Sequence, residues 1–98
     1  METTPDRVAR KDDELVSRRI AGETIIVPIR GKVADLQHIY ILNPVAEYIW
    51  ERLDGRTSLN ELLQGILETF DVGPDQAEGE LQAFVSELVE AGLATGVT

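Results

Sequence analysis

The side chains able to do chemistry are few. His38 is the single histidine of the 98 residues, and cysteine is absent. That excludes disulfides, thiolate nucleophiles, iron–sulfur clusters and zinc–thiolate sites. One imidazole cannot build a histidine metal cage or a two-histidine mechanism. The densest carboxylate group is Asp12-Asp13-Glu14. General acid–base work needs such groups in a cleft; these border a polar N-terminal stretch, where a solvated run is the simpler reading. Arg18-Arg19 has the chemistry to clamp a carboxylate or phosphate, although a solvent-facing pair is the better reading. There is no glycine-rich phosphate loop, nucleophile elbow or metal-ligand spacing. The residues therefore predict a protein that is not an enzyme and carries no cofactor or metal.

The elements that would position these groups follow from the periodicity. Residues 1–13 are polar, contain Pro5 and lack a repeat, so they read as a flexible tail. Leu15–Ile20 reads as a strand, Ala21-Gly22-Glu23 as a turn, and Thr24–Ile29 as a second strand with Ile25, Val27 and Ile29 on one face. Pro28 has no N–H to give a ladder, which places it on an edge or at a strand end. Residues 31–35 read as a connection. Leu36–Leu42 reads as a third strand, with Ile39 and Ile41 on one side and His38, Tyr40 and Leu42 on the other.

Helix signals follow. Asn43 is a favoured N-cap and Pro44 suits a first helical position. Val45, Ala46, Ile49, Trp50 and Leu53 then recur at helical spacing, and Asp54-Gly55 reads as the stop. Ser58-x-x-Glu61 is a capping box opening a second helix, whose apolar face is Leu59, Leu62, Leu63, Ile66, Leu67 and Phe70. Pro74 opens a third helix with the stripe Ala77, Leu81, Phe84, Val85, Leu88 and Val89, ended by Gly92. The rest, 95–98, reads as a tail. The predicted fold class is α+β, with three N-terminal β-strands followed by a three-helix cluster.

Charge narrows the partners. The net charge is −9; residues 1–56 hold all nine bases and ten acids, whereas 57–98 hold eight acids and no base. The third helix offers no arginine or lysine to phosphates or base edges, which argues against nucleic acid as a partner. No apolar stretch approaches the roughly 20 residues of a membrane span, and the first residues lack the apolar middle of a signal peptide, so a cytoplasmic protein is expected. An unpaired edge on the third strand would be a template for an added peptide strand. By pattern alone Ile39, Ile41, Val85 and Leu88 fit a core as well as a groove.

Several short runs recur together here. They are Arg19-Ile20-Ala21-Gly22-Glu23, Ile26-Val27-Pro28, Tyr40-Ile41-Leu42-Asn43, Ala46 with Ile49-Trp50, and Leu53-Asp54-Gly55-Arg56-Thr57. Glu61-Leu62, Ile66-Leu67, Phe70-Asp71-Val72, Phe84-Val85, Leu88 and Gly92-Leu93 continue the series. In this order they resemble the pyrroloquinoline-quinone synthesis protein D (PqqD) family, over about residues 14–94. The resemblance implies a winged-helix-like fold. It also implies a peptide chaperone that binds the leader segment of a ribosomally made precursor by strand addition. Such a protein presents the leader to a maturation enzyme, commonly a radical S-adenosylmethionine (SAM) enzyme. Carried onto this chain, the peptide-binding residues are Gln37, His38, Ile39, Tyr40, Ile41 and Leu42 on the third strand. On the third helix they are Glu78, Leu81, Gln82, Val85 and Val89. Ile29 follows Pro28 where quinone-synthesis members commonly carry Pro-Glu, which implies a different peptide product. The acid-only third helix favours a guest with basic character. A monomer or weak dimer is expected, and the alternative role is a winged-helix adaptor or regulator contacting protein or DNA.

Overall fold

The computed structural model describes residues 6–31 and 33–97. Residues 1–5 of the expected N-terminal tail, Lys32 of the expected connection and Thr98 lie outside the described residues. In chain order the elements are β1 (Arg7–Arg10), a 3-10 turn (Asp12–Glu14), β2 (Leu15–Ile20), β3 (Glu23–Arg30), β4 (Val33–Ala34) and β5 (Tyr40–Leu42). Then come α1 (Pro44–Glu51), β6 (Asp54–Ser58), α2 (Leu59–Thr69), α3 (Pro74–Glu90) and β7 (Ala94–Val97). The class is α+β. The strands do not all precede the helices: β6 and β7 are interleaved with them.

Local signals act where they stand. Asn43 Oδ1 accepts from the Ala46 N–H at 2.8 Å and caps α1. Ser58 and Glu61 close a reciprocal capping box on α2, and Pro74 sits at the start of α3. β2 and β3 join through the two-residue loop Ala21-Gly22, with φ of 52° and 83°. Positive φ at both loop residues defines the type I′ turn that suits strand twist.

Two antiparallel sheets form. β1 lies between β6 and β7 in one; in the other β2 flanks β3 on one side while β4 and β5 share its other side. Arg7–Arg10 was expected to be tail, yet Val8 is 1% exposed between β6 and β7. Four residues with a single large apolar side chain give no alternation to detect. Residues 94–97, of which 95–97 were also expected to be tail, form β7 for the same reason. Asp54-Gly55 does not merely stop α1; it opens β6. There a Cβ on Gly55 would lie 3.3 Å from Ala9 Cβ, so the strands approach closely.

Pro28 lies within the central strand β3, contrary to the edge expectation. Pairing of β3 with β5 ends at Ile26–Tyr40, and pairing with β4 starts at Ile29–Ala34. The missing N–H falls where the ladder passes from β5 to β4: the Pro28 carbonyl still accepts from Asp35 N at 2.7 Å, and the Asp35 carbonyl accepts from His38 N at 3.4 Å instead. The third strand is shorter than the expected Leu36–Leu42 because Asp35 organises a turn. Its Oδ1 accepts from Gln37 N at 3.2 Å and its Oδ2 lies 2.8 Å from His38 Nδ1.

The core joins both sheets to the helices. Ile26, Leu42, Ile49, Trp50, Leu53, Leu62, Ile66, Leu81, Leu88 and Leu93 are all buried. Thr24, Ile26 and Pro28 form the inward face of β3, while Ile25, Val27 and Ile29 share the opposite, half-buried face. Gly65 stands inside α2, where alanine is intrinsically better by about 1 kcal/mol. A Cβ there would penetrate Tyr48 Oη. The Tyr48 ring is held by the Arg52 guanidinium 3.7 Å above it and by Phe70 edge-on at 5.7 Å. Gly65→Ala should therefore destabilise the protein by about 1–3 kcal/mol, as overpacking does. Denaturant unfolding checks this; equal or greater stability would mean that the ring yields freely.

Candidate functional site

The hydrogen-bond parity of the main sheet identifies a free edge. In a two-residue hairpin the flanking pair, here Ile20–Glu23, is a hydrogen-bonded one. Antiparallel pairs alternate between bonded and non-bonded. Residues 23, 25, 27 and 29 thus turn their backbone groups toward β2, and 24, 26, 28 and 30 toward β4 and β5. The Asp35 N–H bond to the Pro28 carbonyl agrees. In the β3–β5 register Thr24–Leu42 and Ile26–Tyr40 are then the bonded pairs, and Ile25–Ile41 is not. The N–H and C=O of Ile41 point away from β3, and among the described residues no strand pairs with that side of β5. By the same count Leu15, Ser17 and Arg19 face outward on β2, the other open edge.

Side chains sort accordingly. Tyr40 is half-buried and Leu42 buried against the core, whereas Ile39 and Ile41 are 43% and 63% exposed. Within Tyr40–Leu42 the expected alternation holds, whereas Leu36 and His38 are exposed in the turn before it; Ile39 and Ile41 are not core. Gln37 and His38 are exposed in the Asp35 turn. The third-helix residues divide differently. Leu81 and Val85 are buried at 3% and 8%, and Glu78, Gln82 and Val89 lie exposed along a neighbouring face. Gln82 Nε2 donates to Glu78 Oε1 at 3.3 Å.

None of those five residues lines the cleft beside β5. That cleft, of about 240 Å³, is bounded by the N-cap Asn43 and by Val45, Ala46 and Ile49 of α1, and by Glu80, Ala83, Phe84 and Glu87 of α3. It opens where β5 gives way to α1, since Asn43 follows Leu42. It is smaller than a typical small-molecule pocket and suits a large side chain or two. Residues 80, 83, 84 and 87 follow helical i, i+3, i+4, i+7 spacing on one face of α3. The signal for that face was Phe84, the one aromatic residue of the expected stripe. Leu81 and Val85 are the more apolar pair on their stripe, and for that reason they are core.

Charged contacts tie the walls together. Arg30 Nη2 donates to the Ala91 carbonyl at the end of α3 at 2.9 Å, and Arg30 Nε lies 3.8 Å from Asp35 Oδ2. Partial burial disfavours the Asp35 carboxylate, but hydrogen bonds from His38 and the Gln37 N–H, with the nearby cations, hold its pKa below the ordinary value. The Tyr40 phenol is pushed up, first by burial and then by the Glu87 carboxylate. Glu87 thus belongs electrostatically to both the cleft and β5.

Behind the cleft, Glu47 accepts from Arg19 Nη1 and from Thr24 Oγ1, the latter at 2.8 Å, which fastens α1 to the sheet. The Arg19 hydrogen bond, then the Thr24 hydrogen bond, lowers the Glu47 pKa from 4.5, against the effect of burial. A depressed folded-state pKa contributes stability above the unfolded value that is lost as pH falls through the folded one. The melting-temperature gap between wild type and Glu47→Gln should be full near pH 7 and close progressively below about pH 4.5. A gap that stays constant down to about pH 2.5 would show that the ionised carboxylate is not what holds α1.

Comparison with known proteins bears on this geometry. Among solved structures, the chain is similar to one described as lasso peptide synthetase B1 complexed with the leader peptide. The TM-score is 0.72 at 21% identity, covering 91% of this chain and 98% of that one. It is also similar to one described as TbiB1 in complex with the TbiA(beta) leader peptide, with TM-score 0.70 at 21% identity, covering 92% and 98%. At that identity the likeness is one of fold. No curated protein matches the sequence. The family model of coenzyme PQQ synthesis protein D matches residues 23–94, a span that includes β3, β5, the cleft and α3. The chain belongs to the coenzyme PQQ synthesis protein D (PqqD) family.

Proposed function

We propose that this chain is a non-catalytic peptide chaperone. It binds the leader segment of a ribosomally made precursor as an added strand on β5 and presents it to a maturation enzyme, of radical SAM type, in the cytoplasm. The observation that carries the reading is the outward N–H and C=O of Ile41 on an open strand edge beside an apolar cleft. Main-chain bonds would supply affinity and side-chain pockets selection. The β2 edge is the poorer template: residues 17–20 are exposed and carry Arg18 and Arg19, the kind of charge that discourages strand addition. Two relatives in fold are described as leader-peptide complexes, which supports the same use of this one.

The proposed site comprises Gln37, His38, Ile39, Tyr40, Ile41 and Leu42 with the cleft face of α3. On that helix Glu80, Ala83, Phe84 and Glu87 take the place first given to Glu78, Leu81, Gln82, Val85 and Val89. We read the arrangement as winged-helix-like and as a monomer or weak dimer, with the recognition domain of 14–94 extended to include β1 and β7.

An amide-resolved NMR titration tests this, using the precursor peptide encoded beside the gene and a scrambled control. Saturable shifts should concentrate in residues 39–46 and 80–87. Absence of shifts, or shifts confined to β2, would overturn the β5 assignment.

A further inference from the structure

The α3 wall of the cleft carries a carboxylate at each end. Glu80 and Glu87 are seven residues apart, about 10.5 Å along the helix, and Ala83 and Phe84 lie between them on the same face. Opposite stand Val45 and Ile49 of α1, so the middle of the cleft is apolar. Among the described residues neither glutamate takes part in an ion pair. Glu80 accepts a long 3.4 Å bond from Gln76 Nε2. The nearby sheet cations are committed elsewhere, Arg19 to Glu47 and Arg30 to Asp35 and the Ala91 carbonyl. No base exists anywhere in residues 57–98.

The floor selects one kind of side chain and the ends another. A large apolar side chain entering the cleft would cover Phe84 and Ala83 and gain from leaving water. The same strand would strip water from Glu80 and Glu87. A neutral guest leaves that loss uncompensated and an acidic one adds repulsion, whereas a cationic one offsets it. Spacing sets the pattern. Side chains on one face of an extended strand recur every second residue, roughly 6.6 Å apart. Residues two before and two after the anchor are therefore about 13 Å apart, within reach of both carboxylates for side chains as long as lysine and arginine. Resting on the leader-binding reading above, we infer that the cleft selects a basic–x–large apolar–x–basic segment, with Glu80 and Glu87 as the charge-selecting pair.

Selection from a displayed random-peptide library on the immobilised full chain tests this. The wild type should enrich large apolar residues with Lys or Arg at the −2 and +2 positions. The enriched peptides should bind the Glu80→Gln/Glu87→Gln variant about tenfold more weakly at low salt, the scale expected for two partly exposed ion pairs. The Glu80→Lys/Glu87→Lys variant should enrich Asp or Glu at the flanks instead. If peptides are enriched that depend on the β5 edge, as shown by loss with Ile41→Pro, but carry neutral flanks and bind the glutamine variant equally well, charge selection is overturned while leader binding stands. If the wild type enriches nothing above an Ile41→Pro background, the leader-binding reading falls and this inference with it.

Discussion

Ile41→Pro should leave the domain folded and weaken leader-peptide binding by about 10- to 100-fold. The Ile41 N–H points away from β3, so proline there removes no bond of the β3–β5 ladder. It removes the donor offered to a guest strand, leaves the guest carbonyl unpaired and puts a ring in the guest's path. An unpaired buried polar group costs about 1–3 kcal/mol, and 1.4 kcal/mol is a factor of ten in affinity. Two controls isolate the edge. Ile41→Ala removes an outward side chain but keeps the backbone bond and should have a smaller effect. Ser17→Pro makes the same backbone change on the outward side of β2 and should bind normally. Calorimetric titration with the precursor peptide, beside a thermal melt of each variant, reads all three. A folded Ile41→Pro that binds like wild type would falsify the β5 assignment, and loss of binding in Ser17→Pro would move the guest to β2.

The faces of this strand were legible because they rest on alternation within one short segment; that its far edge is open depends on pairing and was not. Ile39 and Ile41 against Tyr40 and Leu42 set the faces before any tertiary contact is known. Helix starts were legible for a similar reason: Asn43 and Ser58 with Glu61 act on N–H groups within three residues, and Pro74 fixes its own backbone angle at the first helical position. What could not be read depends on distant partners. Neither β6 nor β7 has a pattern of its own, and each becomes a strand by pairing with β1, more than forty residues away in sequence. The cleft wall was hidden in a more specific way. Leu81 and Val85 look best suited to grip a guest, but the same apolar character draws them into the core beside Leu88. The residues left for the cleft are the next ones round the helix, Glu80, Ala83, Phe84 and Glu87. A groove beside a small core is lined by what the core did not take.

Removing residues 1–11 should abolish cooperative folding, although they look dispensable in sequence. β1 is the middle strand of its sheet, so its loss leaves β6 and β7 without a common partner. The carbonyls of Leu53 and Leu93 lose the N–H groups of Arg10 and Lys11, and the Leu59 N–H loses the Asp6 carbonyl. Val8 leaves the core, and Trp50 loses the Arg10 guanidinium that stacks 5.5 Å from its ring centre. A domain of this length has about 5–15 kcal/mol of net stability, and these losses together consume most of it. A point variant makes the same case without truncation. Val8→Asp buries a charge without a partner, a change that costs about 3 kcal/mol or more. At 4–8 °C per kcal/mol for a domain of this size, its melting point should fall by at least about 12 °C. A truncated chain that melts like wild type would return residues 7–10 to the status of a tail. The consequence for binding is indirect. β7 continues from the end of α3 and is clamped by β1 in register from Arg7–Val97 to Arg10–Ala94. Loosening β1 therefore frees the C-terminal end of the helix that walls the cleft. Milder β1 variants such as Val8→Ala should then lose peptide affinity in proportion to lost stability, with no β1 residue touching the guest.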